Sequence, residues 1–419
     1  MSFLAEEYRE KLIQDFPALS RELDGTPITY LDNAATTLKP RAMVDAVNEY
    51  YLGISTNIHR GKHYAIEEVS NRYEQARYKV AELIGCGGNE VVFVRNTTEG
   101  VNLVADGLGV AVEDHVVIFS DAHHSNMLPW LGRGQVHHVR FDEQGAVDWD
   151  HYESLLKLEP KVVAMTSCSN VTGIHIPLER AVGMAKQVGA LVLVDGAQTV
   201  PHRRINVGEL DVDFLSFSAH KMIGPTGIGI LYGKRHCLEK LRPNNLGGGM
   251  VDWVELGEYR LRKIPHRFEA GTPHIAGAYG LGAAIDYLNQ LGFDQLREDD
   301  RAMGRYMLEQ ALARSYLRVV NPDSEADRGG VISVSIPGQE KLDDFARILS
   351  DSYGVMCRNG HLCAQPYLDM LGTGQVLRAS AYFYTRREDV DRFFSGLDEI
   401  AEMLLDNTGV VGASSVRFP

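Results

Sequence analysis

Cysteine is scarce in this chain, with five residues scattered over 419 positions. An odd, widely spaced set does not make a disulfide framework and predicts reduced thiols in a cytoplasmic protein. Positive charge is also in short supply, because 42 Lys and Arg face 56 Asp and Glu for a formal charge of -14. That balance argues against a general binder of phosphate backbones, so no nucleic-acid partner is expected.

Long apolar runs are missing as well. No stretch approaches the roughly 20 apolar residues of a membrane-spanning helix, so no membrane association is expected. The N-terminus carries acidic residues early and apolar residues at helical spacing, which predicts an amphipathic helix rather than a signal peptide. No strand is followed by G-x-G-x-x-G with a helix behind it, and the P-loop pattern is absent. These absences leave a large globular protein that uses neither dinucleotide-binding nor P-loop chemistry.

Short β-branched runs alternate with helix-length segments through the first two thirds of the chain. They are VVFV (91–94), HVVIF (115–119), KVVAMTS (161–167), ALVLVD (190–195) and DFLSFS (213–218). Because these runs are apolar on both faces, they predict a mostly parallel sheet covered by helices on both sides. The fold class is therefore α/β.

The length suits one large domain and one smaller domain. Residues 1–25 form a helical arm that we expect to pack with the small domain, and residues 26–275 form the large domain. The third part, residues 276–419, begins with a linking helix rich in small residues near 276–292 and continues as a compact α+β unit. A glycine-rich stretch at 244–271 is expected to be irregular, and the last 13 residues, from Asn407, are expected to be poorly ordered.

The segment FSAHKMIGPTGIG (217–229) brings Ser218, His220 and Lys221 to the carboxyl end of a strand. Ligands bind at that edge of open α/β sheets. Lys221 suits a Schiff-base lysine, whose amine is kept neutral by burial and by nearby cations. A surface lysine in a turn is the competing interpretation.

A second strand end, LVLVDGAQ, places Asp195 directly after apolar residues, with Gln198 within reach of the same pocket. A buried carboxylate needs a charged or hydrogen-bonding partner. Asp195 and Lys221 are the two groups that pyridoxal 5'-phosphate (PLP) requires: one pairs with the ring nitrogen and the other holds the aldehyde as an imine. A helix N-cap is the alternative role for Asp195.

A phosphate site is predicted at VRNTTEGVN, where Thr97 and Thr98 follow a strand and a helix begins. The same letters also make an ordinary helix cap. After another strand come His123 and His124, one of which could stack on a flat cofactor. No metal site is predicted: the two histidines are adjacent and lack nearby ligands at usual spacing. His59 and His63 would share a helix face, but their segment contains a glycine and no acidic ligand.

Cys363 stands in the polar turn RNGHLCAQP, two residues after His361 and five after Arg358. Positive neighbours would lower the pKa of a thiol and make an exposed thiolate a nucleophile. A free cysteine is more often a small buried hydrophobe. A disulfide with Cys357 is a further, weaker alternative.

Taken in order, these motifs resemble the type II cysteine desulfurases of the SufS/CsdA kind. These belong to the class V aminotransferase superfamily of fold-type I PLP enzymes. The resemblance covers nearly the whole length. It rests on YLDNAATT (30–37), NIHRGKH (57–63), NTTEGVN, HHSNMLPW, SNVTG (169–173), VDGAQ, SAHK, FEAGTPHI (268–275), RNGHLCAQP and LRAS (377–380).

The resemblance implies a role for each matching residue. Lys221 would hold PLP, Asp195 would pair with its ring nitrogen, and His123 would stack on the ring and assist proton transfer. Further cofactor contacts would come from Gln198 and Asn170 at the phenolic oxygen, from Thr98, Ser218 and His220 at the phosphate, and from Thr272 of the second subunit of a homodimer. Arg378 would receive the substrate carboxylate near Asn33 and Asn170, and Arg358 and His361 would favour the thiolate of Cys363.

The implied reaction converts L-cysteine to L-alanine and leaves the sulfur as a persulfide on Cys363, in the part of the chain that we assign to the small domain. Only 15 positions separate Cys363 from Arg378, which leaves no room for a long mobile loop. A short loop is the type II pattern, and it implies a protein acceptor that approaches the site, for iron–sulfur cluster or other sulfur biosynthesis.

Two positions depart from the family pattern, Leu362 in place of a histidine and Thr385 in place of an asparagine. They leave open the acceptor and the true substrate, whether cysteine, selenocysteine or another β-substituted amino acid. The leading rival is a sister enzyme that performs elimination, epimerisation or selenocysteine lysis. A catalytically silent scaffold for a sulfur carrier is the second, against which Lys221 and Asp195 argue.

Overall fold

The computed structural model of the chain describes residues 6–142 and 144–405. Its strands, in chain order, are β1 (Glu22–Leu23), β2 (Thr26–Pro27), β3 (Thr29–Tyr30), β4 (Val91–Val94), β5 (His115–Phe119), β6 (Gln135–Val139), β7 (Val162–Thr166), β8 (Leu191–Asp195), β9 (Phe214–Ser218), β10 (Gly229–Gly233), β11 (Val251–Glu255), β12 (Glu258–Leu261), β13 (Arg318–Val319), β14 (Val331–Ser335), β15 (Val355–Met356), β16 (Arg358–Gly360) and β17 (Val376–Ser380).

The α-helices are α1 (Glu6–Asp15), α2 (Arg41–Leu52), α3 (Tyr64–Ile84), α4 (Thr97–Gly107), α5 (His124–Met127), α6 (Trp149–Leu156), α7 (Leu178–Gln187), α8 (Val207–Leu210), α9 (Arg235–Lys240), α10 (Ile275–Leu291), α11 (Phe293–Leu312), α12 (Asp343–Tyr353), α13 (Gln365–Met370) and α14 (Arg387–Leu405). None of the helices in the described ranges combines the length and the apolar character needed to cross a bilayer.

A seven-stranded sheet in the order β4-β10-β9-β8-β7-β5-β6 forms the centre of the large unit. The pairs from β9 through β6 are parallel, and β10 is antiparallel to both of its neighbours. All five predicted runs are strands, and their inner residues are fully buried. The prediction of a mostly parallel α/β sheet is confirmed. Sequence reasoning missed β6, whose QVHHV letters are largely half-buried or exposed.

The approach of α4 to the sheet depends on one glycine. A Cβ at Gly100 would lie 2.3 Å from Ser216 Oγ on β9, so a larger residue would push the helix away from that strand. This contact brings the N-terminus of α4 beside the end of β9. The loops after β4, β5, β7, β8 and β9 therefore open toward a shared region at the carboxyl ends of the parallel strands.

A second, four-stranded sheet in the order β13-β14-β17-β16 is antiparallel throughout and packs with α11, α12 and α14. It has its own apolar core, with Phe345, Phe393 and Phe394 among its buried members. The N-terminal segment joins this unit, because β3 pairs with β15 and Asp32 forms a bridge with Ser380. The boundaries proposed from sequence, 1–25, 26–275 and 276–419, remain a prediction.

The predicted arm is present as α1, and Phe16 behind it packs on Tyr287, Phe383 and Tyr384. Tyr287 lies on α10 and the other two rings follow β17. The N-terminal arm therefore contacts both the linking helix and the second unit.

Two local predictions were wrong. The stretch 244–271 contains an antiparallel hairpin, β11–β12, whose exposed side chains gave no burial signal. His59 and His63 do not share a helix, because His59 has a left-handed backbone (φ 62°) and His63 is the N-cap of α3. The expected disorder of the C-terminal tail concerns residues outside the described ranges.

Candidate active site

A cavity of about 340 Å³ lies at the carboxyl ends of the parallel strands, where the second unit meets the large sheet. The sheet side contributes residues from the ends of five strands and the loops after them, and the second unit contributes side chains of β16 and β17 and the loop after β16. Predicted residues that line it are Thr97, Thr98, His123, Asn170, Asp195, Gln198, Ser218, His220, Lys221, Arg358, Cys363 and Arg378. The fold thus brings together 12 of the 15 predicted site residues.

Lys221 ends a short 3-10 turn, Ala219–Lys221, directly after β9. Burial lowers the pKa of Lys221 to about 8; the Asp195 carboxylate opposes that shift and Arg378 adds to it. An amine with this pKa is partly unprotonated near neutral pH and can act as a nucleophile. The interpretation of Lys221 as an ordinary surface lysine does not fit this environment.

Asp195 is buried at the end of β8, and burial raises the pKa of its carboxyl group. One carboxylate oxygen accepts a hydrogen bond from Ala197 N at 2.9 Å, while no described residue donates to the other. The residues that follow form turns rather than the α-helix that the N-cap alternative requires. A cationic ring nitrogen would supply the missing partner for the buried carboxylate. Nearby Gln198 donates to Ala34 O at 2.7 Å.

The N-terminus of α4 faces the cavity beside Ser218. Thr97 donates its N–H to Ser218 Oγ at 2.9 Å, and the two hydroxyls lie 2.7 Å apart. Thr97 is buried and therefore contacts the site mainly by holding Ser218. Thr98 Oγ1 pairs with Ser125 Oγ at 2.7 Å. Hydroxyls and free N–H groups at a helix start suit a phosphate.

His123 lies at the start of α5 and lines the cavity. Burial lowers its pKa to about 4, with Lys221, His124 and Arg378 acting in the same direction. The ring is therefore neutral at physiological pH. Its Nδ1 accepts the N–H of Ser125 at 3.1 Å, which assigns the ring proton to Nε2. His123 can thus stack on a ring and present one N–H donor.

Arg378 is a buried arginine held from two sides. Its Nη1 donates to Asn170 O and its Nη2 to Asp32 Oδ1, each at 3.0 Å, while its buried Nε has no partner among the described residues. Asp32 also accepts from Arg358 Nη2 at 2.7 Å, so one carboxylate joins both guanidinium groups. The triad keeps one net positive charge, which suits a ligand with one carboxylate.

The loop that carries Cys363 is strained and fixed in place. Leu362 and Cys363 both have left-handed backbones, with φ of 54° and 56°, each costing on the order of 1 kcal/mol for an L-residue. Asn170 Nδ2 donates to Leu362 O at 2.9 Å, and His124 N donates to Cys363 O at 2.8 Å. The Cys363 side chain is exposed, as a nucleophile requires.

The two cysteines of this region differ in reactivity. Cys357 is a free thiol, and burial raises its pKa to about 12, so it is inert at neutral pH. Cys363 is also a free thiol, which contradicts the disulfide alternative. Arg358, predicted to favour the thiolate, lies in the same cavity, but its charge is shared with Asp32.

Three predicted site residues do not line the cavity. The Asn33 amide donates to Ser380 O at 2.8 Å and accepts from Tyr384 Oη at 2.5 Å, so Asn33 joins backbone segments rather than facing a substrate. His361 lies in the turn without reaching the cavity lining. Thr272 lines a separate cavity of about 230 Å³ with Asn57 and Arg60.

Sequence reasoning missed several lining residues. Thr166 ends β7 and Cys168 follows it, Asn96 and Ser125 flank the phosphate region, and Ala34 and Ala35 approach from the N-terminal segment. Burial raises the pKa of Cys168 well above its ordinary value, so this thiol stays neutral. Small and neutral side chains carry no chemical signature in a sequence. Asp32 was missed because a single carboxylate after a short strand does not reveal its two arginine partners.

Comparisons with known proteins agree with this geometry. Residues 29–393 match the aminotransferase class-V family. A probable cysteine desulfurase of Streptomyces coelicolor is 39% identical over 405 residues, covering 93% of this chain and 96% of that protein. A cysteine desulfurase of Enterobacter sp. is 40% identical over 405 residues, with coverages of 94% and 98%.

Solved structures give the same result. An apo cysteine desulfurase from Thermococcus onnurineus NA1 superimposes with a TM-score of 0.88 at 35% identity, covering 96% of this chain and 99% of that one. The cysteine desulfurase CsdA of Escherichia coli, in an S-sulfonic acid form, has a TM-score of 0.85 at 34% identity, with coverages of 94% and 99%.

Proposed function

Because this chain belongs to the aminotransferase class-V family, and within it to the type II cysteine desulfurases, we propose that it converts L-cysteine to L-alanine with PLP and transfers the sulfur as a persulfide. One observation carries the proposal. Cys363, from the second unit, lines the same cavity as Asp195 and Lys221, which follow neighbouring strands of the large sheet. Neither a scaffold nor an elimination enzyme has a use for all three.

The described residues fit PLP, which the fold-type I family uses. Asp195 offers a buried carboxylate oxygen to the ring nitrogen, and Lys221 offers an amine to the aldehyde. The neutral ring of His123 suits the cofactor face, and Ser218 with the start of α4 suits the phosphate. When bound, PLP supplies an electron sink for the pair left on the substrate α-carbon.

Proton transfer falls to Lys221 and His123. An amine with a pKa of about 8 can take the proton from the substrate α-carbon and return it to a neighbouring atom. His123 stays neutral and offers its Nε2–H as a donor nearby. Lys221 therefore acts as the base, and His123 acts as the hydrogen-bond donor.

Arg378 orients the substrate. Arg378 lines the cavity, and Asn170 and Asp32 hold its guanidinium group in place, so it can offer a charge-assisted donor to the substrate carboxylate. Orientation by a buried arginine brings the substrate sulfur to the side of the cavity that carries Cys363.

Cys363 performs the sulfur transfer. Its thiolate attacks the substrate sulfur, and an S–S bond forms as the C–S bond breaks. The electron pair of the broken bond leaves with the carbon fragment, which is protonated to become the methyl group of alanine. The persulfide then remains on an exposed side chain at a cavity mouth.

The fixed loop indicates that a sulfur-accepting protein must approach Cys363. Both carbonyls of the Leu362–Cys363 pair are hydrogen-bonded to the large unit, so Cys363 has little reach and the acceptor must come to it.

Thr272 lies in a different cavity of its own subunit, and we assign it to the phosphate site of the other subunit in a homodimer. Free cysteines support a cytoplasmic location.

The test is product stoichiometry. The purified protein, given L-cysteine and a reductant, should release alanine and sulfide in equal amounts and show the yellow colour of bound PLP. Pyruvate in place of alanine would assign the chain to the elimination enzymes of the same fold.

Replacing Arg378 by lysine should raise the KM for L-cysteine about 10- to 100-fold, because a planar charge-assisted contact is worth roughly 1.5–3 kcal/mol. The turnover number should change much less. The matched control is Arg314→Lys, which alters an arginine bonded through two nitrogens to Asp398, far from the cavity. Equal KM values for both variants would contradict the carboxylate role.

A further inference from the structure

The carbonyl oxygen of His220, in the peptide that leads into Lys221, is surrounded by donors from one short segment. Thr36 Oγ1, Thr37 Oγ1 and Thr37 N each lie 3.1 Å from it, and Lys39 Nζ lies 2.7 Å away. A carbonyl oxygen has two lone pairs. The four donors from residues 36–39 outnumber these lone pairs, and all of them face the peptide that positions Lys221.

Lys39 has an unusual environment for a lysine. Its ammonium group makes no ion pair among the described residues and contacts His220 O and Thr37 Oγ1 instead. Burial lowers its pKa to about 7. Lys39 is half-buried, and the hydrogen bonds of its amine to His220 O and Thr37 Oγ1 offset part of its lost solvation.

The backbone on the other side of Lys221 is strained. Ile223 has a φ of 55°, a left-handed conformation that a β-branched residue adopts at a steric cost. Its N–H donates to Thr37 Oγ1 at 2.9 Å. The same threonine hydroxyl therefore fixes Ile223 and faces the His220 carbonyl, so residues 36–39 hold the turn on both sides of Lys221.

This short segment is itself anchored. Leu38 N donates to Tyr384 Oη at 2.8 Å, and Tyr30 Oη donates to Thr36 O at 2.7 Å. Asn33 accepts from the same Tyr384 hydroxyl. The second unit thus supports the segment that contacts the Lys221 turn.

We propose that residues 36–39 are a clamp that keeps the Lys221 turn in its strained conformation, and that Lys39 is the positioning residue of this clamp. Lys39 does not line the cavity and acts through the His220 peptide. Held in this way, the Lys221 amine stays where it reaches the cofactor aldehyde; this consequence rests on the proposed function. Without the clamp, the turn relaxes and the cofactor is retained less well.

The experiment compares Lys39→Met, which removes charge and donors at similar length, with Lys39→Arg, which keeps both. Lys79→Met is the control, because Lys79 is a partly exposed lysine paired with Asp286. One readout is the rate of PLP loss on dilution, followed by visible absorbance. The other is amide hydrogen exchange of the peptide covering residues 219–224 in the PLP-free protein, compared with the central sheet.

We expect Lys39→Met to lose PLP about tenfold faster and its 219–224 amides to exchange about tenfold faster, as removal of the hydrogen bond from Lys39 to the His220 carbonyl implies. Lys39→Arg should stay within about threefold of the parent, and Lys79→Met should match it. Unchanged release and exchange in Lys39→Met would overturn the clamp. So would faster exchange spread evenly over the central sheet, the mark of a merely structural lysine.

The two readouts separate this inference from the proposed function. If the parent protein binds no PLP, the proposed function fails while hydrogen exchange in the PLP-free chain still tests the clamp. Thr37→Val offers a second variant that keeps side-chain size and removes the hydroxyl. This variant should raise the amide exchange rate of the peptide covering residues 219–224. An unchanged rate would contradict the proposal that residues 36–39 hold the turn on both sides of Lys221.

Discussion

Replacing Cys363 by alanine should abolish sulfide release from L-cysteine, lowering the rate at least about a thousandfold, or ~4 kcal/mol of barrier. The reason is that this thiol accepts the sulfur directly. Because its side chain is exposed, its removal leaves the core intact and the yellow colour of bound PLP should persist. Sulfide and alanine assays on PLP-loaded protein measure the effect.

The matched control for this substitution is Cys357→Ala. Cys357 lies six positions earlier, is half-buried and carries a thiol whose pKa is raised to about 12. Its loss should leave turnover within about twofold, as a change outside the reacting groups implies. Equal activity of Cys363→Ala and the parent would show that the thiol is a bystander.

Replacing Lys221 by alanine should remove turnover by at least about ten thousandfold, since covalent attachment of the cofactor and proton transfer at the α-carbon both depend on its amine. Borohydride reduction followed by mass analysis of the chain should find PLP fixed to the parent and not to the variant. Lys186→Ala is a suitable comparison, because Lys186 pairs with Asp213 away from the cavity. PLP fixed to Lys221→Ala would contradict the assignment.

The parts of this molecule that are encoded locally could be predicted from its sequence. Five apolar runs are strands within a residue of the predicted limits, because burial on both faces leaves a continuous β-branched signal. Ser218, Lys221 and Asp195 followed from their position at strand ends. The ordered motifs then gave Cys363 and Arg378 their roles by resemblance.

Contacts between distant segments could not be predicted in the same way. Asp32 meets Arg378 across 346 positions, and Lys39 meets the His220 carbonyl across 181. A sequence shows the charges but not the pairing, which depends on how β3, β16 and β17 come together. Asn33 shows the same limit, since its motif suggested substrate contact and could not reveal that its amide donates to the Ser380 carbonyl, 347 positions away.

The central claim is that sulfur passes to Cys363. The most direct measurement is mass analysis of the peptide that contains Cys363, after the PLP-loaded protein meets L-cysteine without reductant and its thiols are alkylated. We predict that this peptide gains the mass of one sulfur atom and loses it on reduction, in step with alanine formed. Alanine formed without any added sulfur on Cys363, or added sulfur on another cysteine instead, would contradict the account.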